Sequence, residues 1–141
     1  MDTVDRATRR RIMQAVRSRD TKPELFVRQQ VFAAGFRYRL CDKRLPGRPD
    51  LVLPRYRTAV FVHGCFWHRH GCARSTTPAT NVEFWRAKLD RNQARDRAAT
   101  KELRRRGYKV EILWECELER GVARLLRRLA RRRAALAAGA R

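Results

Sequence analysis

Ten consecutive positions, His63 to Cys72, contain all three histidines of the chain and two of its four cysteines. Thiolates and imidazoles are the ligands that zinc prefers, and a structural zinc site needs four of them in a tetrahedron. The run therefore predicts a zinc site, with histidines left over for proton transfer. Because the spacing is not that of a standard zinc finger, a chain without bound metal is the alternative.

The fourth zinc ligand has to come from a distant part of the chain. Cys116 follows a predicted strand that ends at Trp114. If that strand lies beside residues 59–62, both connections leave the same edge of the sheet. We therefore predict a structural zinc site made by Cys65, His70, Cys72 and Cys116. The remaining cysteine, Cys41, is expected to behave as a small hydrophobic residue.

A carboxylate precedes the predicted strand that leads toward this run. Asp50 follows Pro49 and enters the apolar residues 51–53, and a second apolar run ends directly before His63. This layout is typical of a metal-dependent phosphodiesterase, in which Asp50 would bind Mg²⁺ while His63 and His68 would be available for proton transfer. A turn or capping aspartate is the commoner role of a residue in this position and stays open.

The hydrophobic pattern predicts the elements that position these residues. We expect a basic helix within residues 1–20, a helix opened by a capping box at 21–24, a strand over 36–40, a hairpin over 50–62, a helix from 81 to about 106, a strand over 108–114 and a final amphipathic helix that frays over 131–141. This order indicates one α/β domain spanning 1–141, a mixed sheet flanked by helices. Glu24 is then a helix-start carboxylate, with capping as its local role.

The composition predicts a polyanionic partner. The chain has 35 Lys+Arg against 14 Asp+Glu, a formal charge of +21, and most of the cations are arginine. Nucleic acid is the partner that fits, although biased codon usage is an alternative source of the arginines. The sequence has no apolar stretch of about 18 residues that could form a transmembrane helix, and its N-terminus lacks the apolar core of a signal peptide. We expect a cytoplasmic protein with no membrane contact, in which cysteines bind metal rather than form disulfides.

Four motifs occur together in order: Leu45-Pro46-Gly47-Arg48-Pro49-Asp50, His63-Gly64-Cys65-Phe66-Trp67-His68, Phe84-Trp85 and Leu113-Trp114-Glu115-Cys116. From about Thr8 to Glu117 the chain resembles the very-short-patch-repair (Vsr) DNA mismatch endonucleases. That family nicks duplex DNA 5′ of the thymine in a T:G mismatch left by deamination of 5-methylcytosine, and so starts a repair that restores C:G. The resemblance implies the same activity here, by a monomer acting on double-stranded DNA in a bacterial cytoplasm, with downstream repair proteins as further partners.

The resemblance also implies a fold and catalytic roles. The family fold is similar to the PD-(D/E)xK restriction-endonuclease core, with a histidine standing where the usual lysine would be. Asp50 would be the Mg²⁺ ligand, His63 and His68 would act on the phosphate and in proton transfer, and Glu24 would assist from the helix start. Asp96 also matches a family position, with an ion pair on a helix face as its alternative.

Val62 is a departure from the family pattern, which commonly has threonine before the histidine. We expect this residue to offer the metal its backbone carbonyl, because a hard cation accepts either kind of oxygen. One or two Mg²⁺ ions are compatible with the pattern.

The resemblance gives the aromatic residues a role in mismatch recognition. Phe66, Trp67 and Trp85 match the trio that wedges into the base stack beside the mismatch. Met13, Lys88 and Asn92 match positions that contact the surrounding DNA. Core packing and a solvated helix surface are the alternatives. The competing functions are a nuclease of the same fold with another DNA target and a non-catalytic zinc-containing DNA-binding protein.

Overall fold

The computed structural model describes residues 21–40, 42–65 and 80–139, and all structural statements below concern these ranges. The elements are α1 (Lys22–Ala33), β1 (Arg39–Leu40), β2 (Leu51–Leu53), β3 (Thr58–His63), α2 (Val82–Arg105), β4 (Lys109–Trp114) and α3 (Leu118–Gly139). Short 3-10 turns occupy Pro54–Tyr56 and Glu115–Glu117. The predicted basic helix within 1–20, Cys41 and most of the histidine and cysteine run lie outside the described residues.

The four strands form one mixed sheet in the order β1-β2-β3-β4. The first two pairings are antiparallel, with Leu51 opposite Val60, and β3 pairs with β4 in parallel, with His63 opposite Trp114. A parallel pair needs a long crossover, and α2 supplies it. The predicted hairpin and the predicted position of the last strand beside residues 59–62 are both confirmed.

Helices pack on both faces of the sheet. Val60 belongs to a core shared with α1 and α3, whereas Ala59 and Phe61 pack with Leu103 of α2. Because successive side chains of a strand point to opposite faces, His63 lies on the α2 face and Val62 on the other. The expected α/β architecture, a mixed sheet flanked by helices in one small domain, is confirmed.

Local sequence explains where the helices begin and end. The Thr21 hydroxyl accepts the Glu24 N–H at 3.4 Å, Pro23 stands in the first turn, and Gly35 follows the helix with φ +89°. These are the cap, the fixed φ and the left-handed glycine that define a helix at both ends. Asn81 precedes α2 as predicted but has a left-handed backbone and makes no side-chain cap bond.

Two predicted boundaries differ from the structure. The strand expected over 36–40 is reduced to Arg39–Leu40, because the Phe36 N–H bonds the Val31 carbonyl and closes the end of α1. The fraying expected from Arg131 does not occur over 131–139, where α3 continues to Gly139. Alanine, leucine and arginine are strong helix formers, and Arg132 bonds Glu111 and Thr58 of the sheet. Among the described helices, none is both long and apolar enough to span a bilayer.

Candidate active site

The Asp50 carboxylate lies against the backbone of β3. Its Oδ2 accepts the Val62 N–H at 2.6 Å. Asp50 directly precedes β2 and His63 ends the antiparallel strand β3, so both residues lie at the same edge of the sheet. The hairpin therefore brings together the two residues that the sequence indicated for Mg²⁺ binding and proton transfer.

The Val62 carbonyl lies on the same side of β3 as the Val62 N–H. Continuing the register of Leu51 opposite Val60 by two residues places Pro49 opposite Val62. In an antiparallel ladder the opposite residue would donate its N–H to this carbonyl, but proline has no N–H. A ladder bond from Pro49 to the Val62 carbonyl is therefore impossible, and this carbonyl lies on the side of β3 that faces Asp50.

His63 is held between aromatic rings at the end of β3. Its side chain is only 5% exposed. The Trp114 ring approaches it edge-on at 5.2 Å between centroids, and the Phe61 ring lies at 5.5 Å. Leu51 and Leu53 point into the opposite core, so alternation places Asp50 on the same face as Phe61 and His63. The imidazole thus has a fixed orientation on the face that carries the carboxylate.

Glu24 is partly buried and paired with a neighbour that the sequence did not single out. Its carboxylate accepts a hydrogen bond from Arg28 Nη2 at 3.4 Å, and the two side chains are 12% and 11% exposed. An arginine is rarely so buried unless it is paired. The spacing of four residues on one helix face was the sequence signal for this pair.

The predicted zinc ligands fall partly within the described residues. Cys65 is buried and Cys116 is exposed, and the Cys65 N–H donates to Glu115 Oε1 at 3.1 Å. Glu115 thereby joins Cys65, two residues after β3, to the end of β4. His68, His70 and Cys72 lie outside the described ranges. Within those ranges no three histidine, cysteine or acidic side chains form a group that could hold a metal ion.

The N-terminal half of α2 carries the described residues that the resemblance assigned to DNA. The Trp85 ring packs edge-on against Phe84 at 5.3 Å, and the Lys88 ammonium lies within 6 Å of both rings, at 5.9 Å from Phe84 and 5.8 Å from Trp85. Asn92 accepts a hydrogen bond from Arg95. Phe84 itself is 56% exposed, a large aromatic surface that the sequence analysis left without a role.

Helical spacing places the assigned residues on one stripe of α2. Trp85, Lys88, Asn92 and Asp96 are all half-buried, and the same stripe continues into Ala99 and Leu103, which face the sheet. The polar part of the stripe is thus an extension of the packing face. Phe66, Trp67 and Met13 lie outside the described residues.

Internal hydrogen bonds organise the loop that leads into Asp50. Asp42 accepts bonds from the Arg44 backbone N–H at 3.0 Å and from its Nε and Nη2, both at 3.1 Å. These hydrogen bonds hold the pKa of Asp42 below its usual value. Further along, the Arg48 N–H bonds the Leu45 carbonyl at 3.2 Å. The segment from 42 to 50 is therefore a defined turn structure.

A mixed sheet with helices on both faces, an aspartate and a histidine at one sheet edge, and a large excess of cations are the features of an α/β nuclease. Residues 1–74 match the family model described as DNA mismatch endonuclease Vsr. The chain therefore belongs to the Vsr family of DNA mismatch endonucleases, which confirms the resemblance, and it is an enzyme that acts on DNA.

Relatives along most of the chain agree with this assignment. The chain is 47% identical over 108 residues to the type II nicking enzyme V.NmeAIP of Neisseria meningitidis, which covers 77% of each protein. It is 44% identical over 117 residues to the type II nicking enzyme V.XorIIP of Xanthomonas oryzae, covering 83% of the chain and 86% of the relative. It is also 44% identical over 117 residues to the DNA mismatch endonuclease Vsr of Escherichia coli, covering 83% and 75%.

Proposed function

We propose that this enzyme is a Mg²⁺-dependent endonuclease that nicks one strand of duplex DNA 5′ of the thymine in a T:G mismatch. The observation that carries the proposal is the hydrogen bond from the Val62 N–H to the Asp50 carboxylate, one residue before the buried His63. It holds the carboxylate that we propose to bind Mg²⁺ one residue from the imidazole that we propose to transfer a proton. The relative from Escherichia coli is by name a mismatch endonuclease, which supports the choice of substrate.

Oxygen donors at this edge fit Mg²⁺. The Asp50 carboxylate and the Val62 carbonyl carry hard oxygen atoms, the kind of ligand that Mg²⁺ prefers, and these two residues would hold the ion. When bound, Mg²⁺ would stabilise charge on the phosphate and acidify a coordinated water. The hairpin β2–β3 would then serve as a PD-(D/E)xK-like core in which His63 stands near the position of the usual lysine.

The protein's own side chains would divide the proton transfers. His63, whose orientation is fixed by Trp114 and Phe61, is suited to accept or donate a proton at the scissile phosphate. His68 is the proposed second imidazole. Glu24 would assist from the start of α1, with Arg28 keeping its carboxylate in place.

Mismatch recognition is proposed for the aromatic residues. Trp85, with Phe66 and Trp67, would enter the base stack, at a cost of a few kcal/mol for each unstacked step. A T:G wobble pair opens more readily than a Watson–Crick pair. Inserting the aromatic side chains therefore costs less free energy at a mismatch than at paired DNA, which would favour binding at the mismatch. Lys88 and Asn92, on the same stripe of α2 as Trp85, would contact the flanking DNA, and Met13 is proposed for the same role.

We propose a structural zinc ion bound by Cys65, His70, Cys72 and Cys116. Support comes from the parallel pairing of β3 and β4, which sends both connections out of one sheet edge, and from the Glu115 bond to the Cys65 N–H. Zinc would brace the segment that contains His68, Phe66 and Trp67. The enzyme is proposed to act as a cytoplasmic monomer.

A cleavage comparison tests the catalytic proposal. Matched duplexes containing T:G, U:G or fully paired DNA are incubated with the enzyme, with and without Mg²⁺, and the nicked strand is identified on a denaturing gel. We expect nicking 5′ of the mismatched thymine only with Mg²⁺, and loss of nicking with retained DNA binding in Asp50→Ala. Equal nicking of paired DNA would instead indicate a nuclease of this fold with another target.

A metal analysis tests the zinc proposal. The purified enzyme is expected to contain one zinc per chain by atomic emission, and Cys116→Ser to lose most of it. Cys41→Ser is the matched control, because Cys41 is the cysteine left out of the proposed site, and it should retain zinc. Equal zinc content in the two variants would remove Cys116 from the site.

A further inference from the structure

We propose that Gly47 is a positioning residue of the active site: because it has no side chain, the loop before Asp50 fits between α2 and β3, which sets Asp50 relative to His63. The proposal rests on the proposed role of these two residues. It concerns a position inside the motif Leu45-Pro46-Gly47-Arg48-Pro49-Asp50 that has no chemical group of its own.

Contacts at Gly47 leave no room for a methyl group. A Cβ built at this position would lie 2.7 Å from the Ala99 Cβ, and 3.2 Å and 3.3 Å from Cε1 and Cζ of Phe61. Distances under 3.0 Å between such carbons essentially never occur, so something would have to move. The Ala99 Cβ is attached directly to the backbone of a 24-residue helix and cannot rotate away. The loop would therefore shift away from Ala99, and the Phe61 ring would have to give by a few tenths of an ångström.

Backbone conformation adds a second requirement for glycine. Gly47 has φ +74°, in the left-handed region that residues with a Cβ adopt only at a cost. The loop around it is held by the bond from the Arg48 N–H to the Leu45 carbonyl. A change at Gly47 is therefore transmitted along a structured segment.

Both possible shifts lead to the active site. The loop reaches Asp50 three residues after Gly47, and the Asp50 carboxylate is bonded to the Val62 N–H at 2.6 Å. The Phe61 ring, in turn, contacts the His63 ring at 5.5 Å. Moving the loop displaces the carboxylate, and moving the ring displaces the imidazole. Gly47 thus controls the geometry between the two groups without touching either.

Three variants separate positioning from ordinary backbone strain. Gly47→Ala introduces both the strained φ and the close contact. Gly35→Ala is the matched control, because Gly35 has a similar φ of +89° but its nearest neighbour to a new Cβ is 3.9 Å away. The double change Gly47→Ala with Ala99→Gly removes the 2.7 Å contact, which is the shortest one, while the two Phe61 contacts and the strained φ remain.

Steady-state nicking of T:G duplex is measured as a function of Mg²⁺ and DNA concentration, well below the melting temperature of every variant. We expect Gly47→Ala to lower kcat about tenfold or more and to raise the Mg²⁺ concentration for half-maximal rate, with KM for DNA little changed. Gly35→Ala should melt earlier with unchanged kcat and Mg²⁺ dependence, and the double variant should recover most of the lost rate. Equal kcat in Gly47→Ala and Gly35→Ala, or no recovery in the double variant, would overturn the proposal.

An NMR measurement that does not depend on catalysis tests the role of Gly47 separately from the proposed function. The NMR signals of the Val62 amide and the His63 ring are compared between the wild type and each variant. At least one should move in Gly47→Ala and neither in Gly35→Ala; if neither moves in Gly47→Ala, the positioning role is refuted. A wild type that fails to nick T:G duplex refutes the proposed function, while the NMR comparison still decides the role of Gly47.

Discussion

At the scale of single residues, the hydrogen bond between Asp50 and Val62 uses only the backbone of Val62. Its side chain instead packs toward the core shared with α1 and α3. The position can therefore change its side chain without altering the donor to Asp50 or the carbonyl proposed as a metal ligand. A valine side chain at this position is therefore compatible with the proposed metal-binding role of its carbonyl.

Replacing Val62 by threonine should leave catalysis nearly unchanged. We expect kcat of Val62→Thr to remain within about twofold of the wild type at saturating Mg²⁺, because the backbone oxygen is retained. The hydroxyl placed against apolar residues should lower the free energy of unfolding by about 1 kcal/mol. Nicking rates and urea unfolding measure the two effects. A rise in kcat of tenfold or more would mean that a threonine hydroxyl takes part in metal binding.

The sequence indicated candidate active-site residues where a chemically reactive side chain lies at the end of a predicted strand, as Asp50 and His63 do. It could not predict Arg28 or Gly47 in the same way, because their roles depend on what packs against them. Arginine is ordinarily exposed, and only the assembled helix shows that Arg28 is buried beside Glu24. The close contacts of Gly47 depend on where α2 and Phe61 lie in the folded protein, which the local sequence does not indicate.

At the scale of elements, α3 is fastened to β4 by a buried carboxylate. Glu111 is 5% exposed and accepts bonds from Arg128 Nη1 at 2.5 Å and Arg132 Nη2 at 2.8 Å. Arg132 also donates to the Thr58 hydroxyl at 3.0 Å. Two arginines that composition alone would assign to DNA are therefore used to hold the last helix on the sheet.

Removing this carboxylate should destabilise the protein strongly. We expect Glu111→Ala to lower the free energy of unfolding by about 3 kcal/mol, since it leaves the 15% exposed Arg132 without its buried partner. Urea unfolding monitored by tryptophan fluorescence gives the value. Arg131→Ala, on the exposed side of the same helix, is the control and should change stability by less than about 0.5 kcal/mol. A loss below 1 kcal/mol in Glu111→Ala would show that the ion pair contributes little.

Glu102, near the end of α2, should make stability depend on acid pH. Hydrogen bonds from the side chains of Arg105 and Arg106 lower its pKa to about 2, from an ordinary value of 4.5. A carboxyl group with a lowered pKa in the folded state stabilises that state above the unfolded pKa, and the contribution is lost as the pH falls toward the folded pKa.

Comparison with Glu102→Gln isolates this contribution. We expect the wild type to be more stable than the variant at pH 6 and the difference to shrink between pH 4.5 and about 2. Urea unfolding at a series of pH values measures the difference. A difference that stays constant over this range would assign it to helix packing rather than to ionisation.

The boundaries of helices and strands were predicted well where a capping residue or a glycine marks the end of a helix, and poorly elsewhere. The predicted bounds of α2 are right within a residue or two: Gly107, with its left-handed backbone, follows the helix, and Asn81 precedes it without making a side-chain cap bond. Residues 36–38 alternate like a strand, yet Phe36 is used to close α1 and pack edge-on against Tyr56. An alternating segment becomes a strand only if another strand pairs with it, and the local sequence does not reveal whether such a partner is available.

At the scale of the whole molecule, a formal charge of +21 makes DNA affinity depend steeply on salt. Each cation that neutralises a phosphate contributes about one to the slope of log Kd against log salt. We expect Lys88→Ala to reduce that slope by about one. Lys101→Ala is the matched control, because it removes the same charge from the same helix about 20 Å farther along. Fluorescence anisotropy over 50–300 mM salt distinguishes them, and equal slopes in both variants would place Lys88 outside the DNA interface.

The connectivity of the sheet has a consequence for how the enzyme is made. Asp50 and Val62 belong to a local hairpin, which closes on the microsecond scale, whereas Val62 and Leu113 pair only after 50 intervening residues have emerged from the ribosome. Until then the apolar strand β3, Thr58–His63, has one unpaired edge, a template for aggregation. β4 pairs with this edge and carries the exposed Lys109 at its first position. Its arrival thus protects the newly synthesised chain at the same step that brings Glu115 to Cys65.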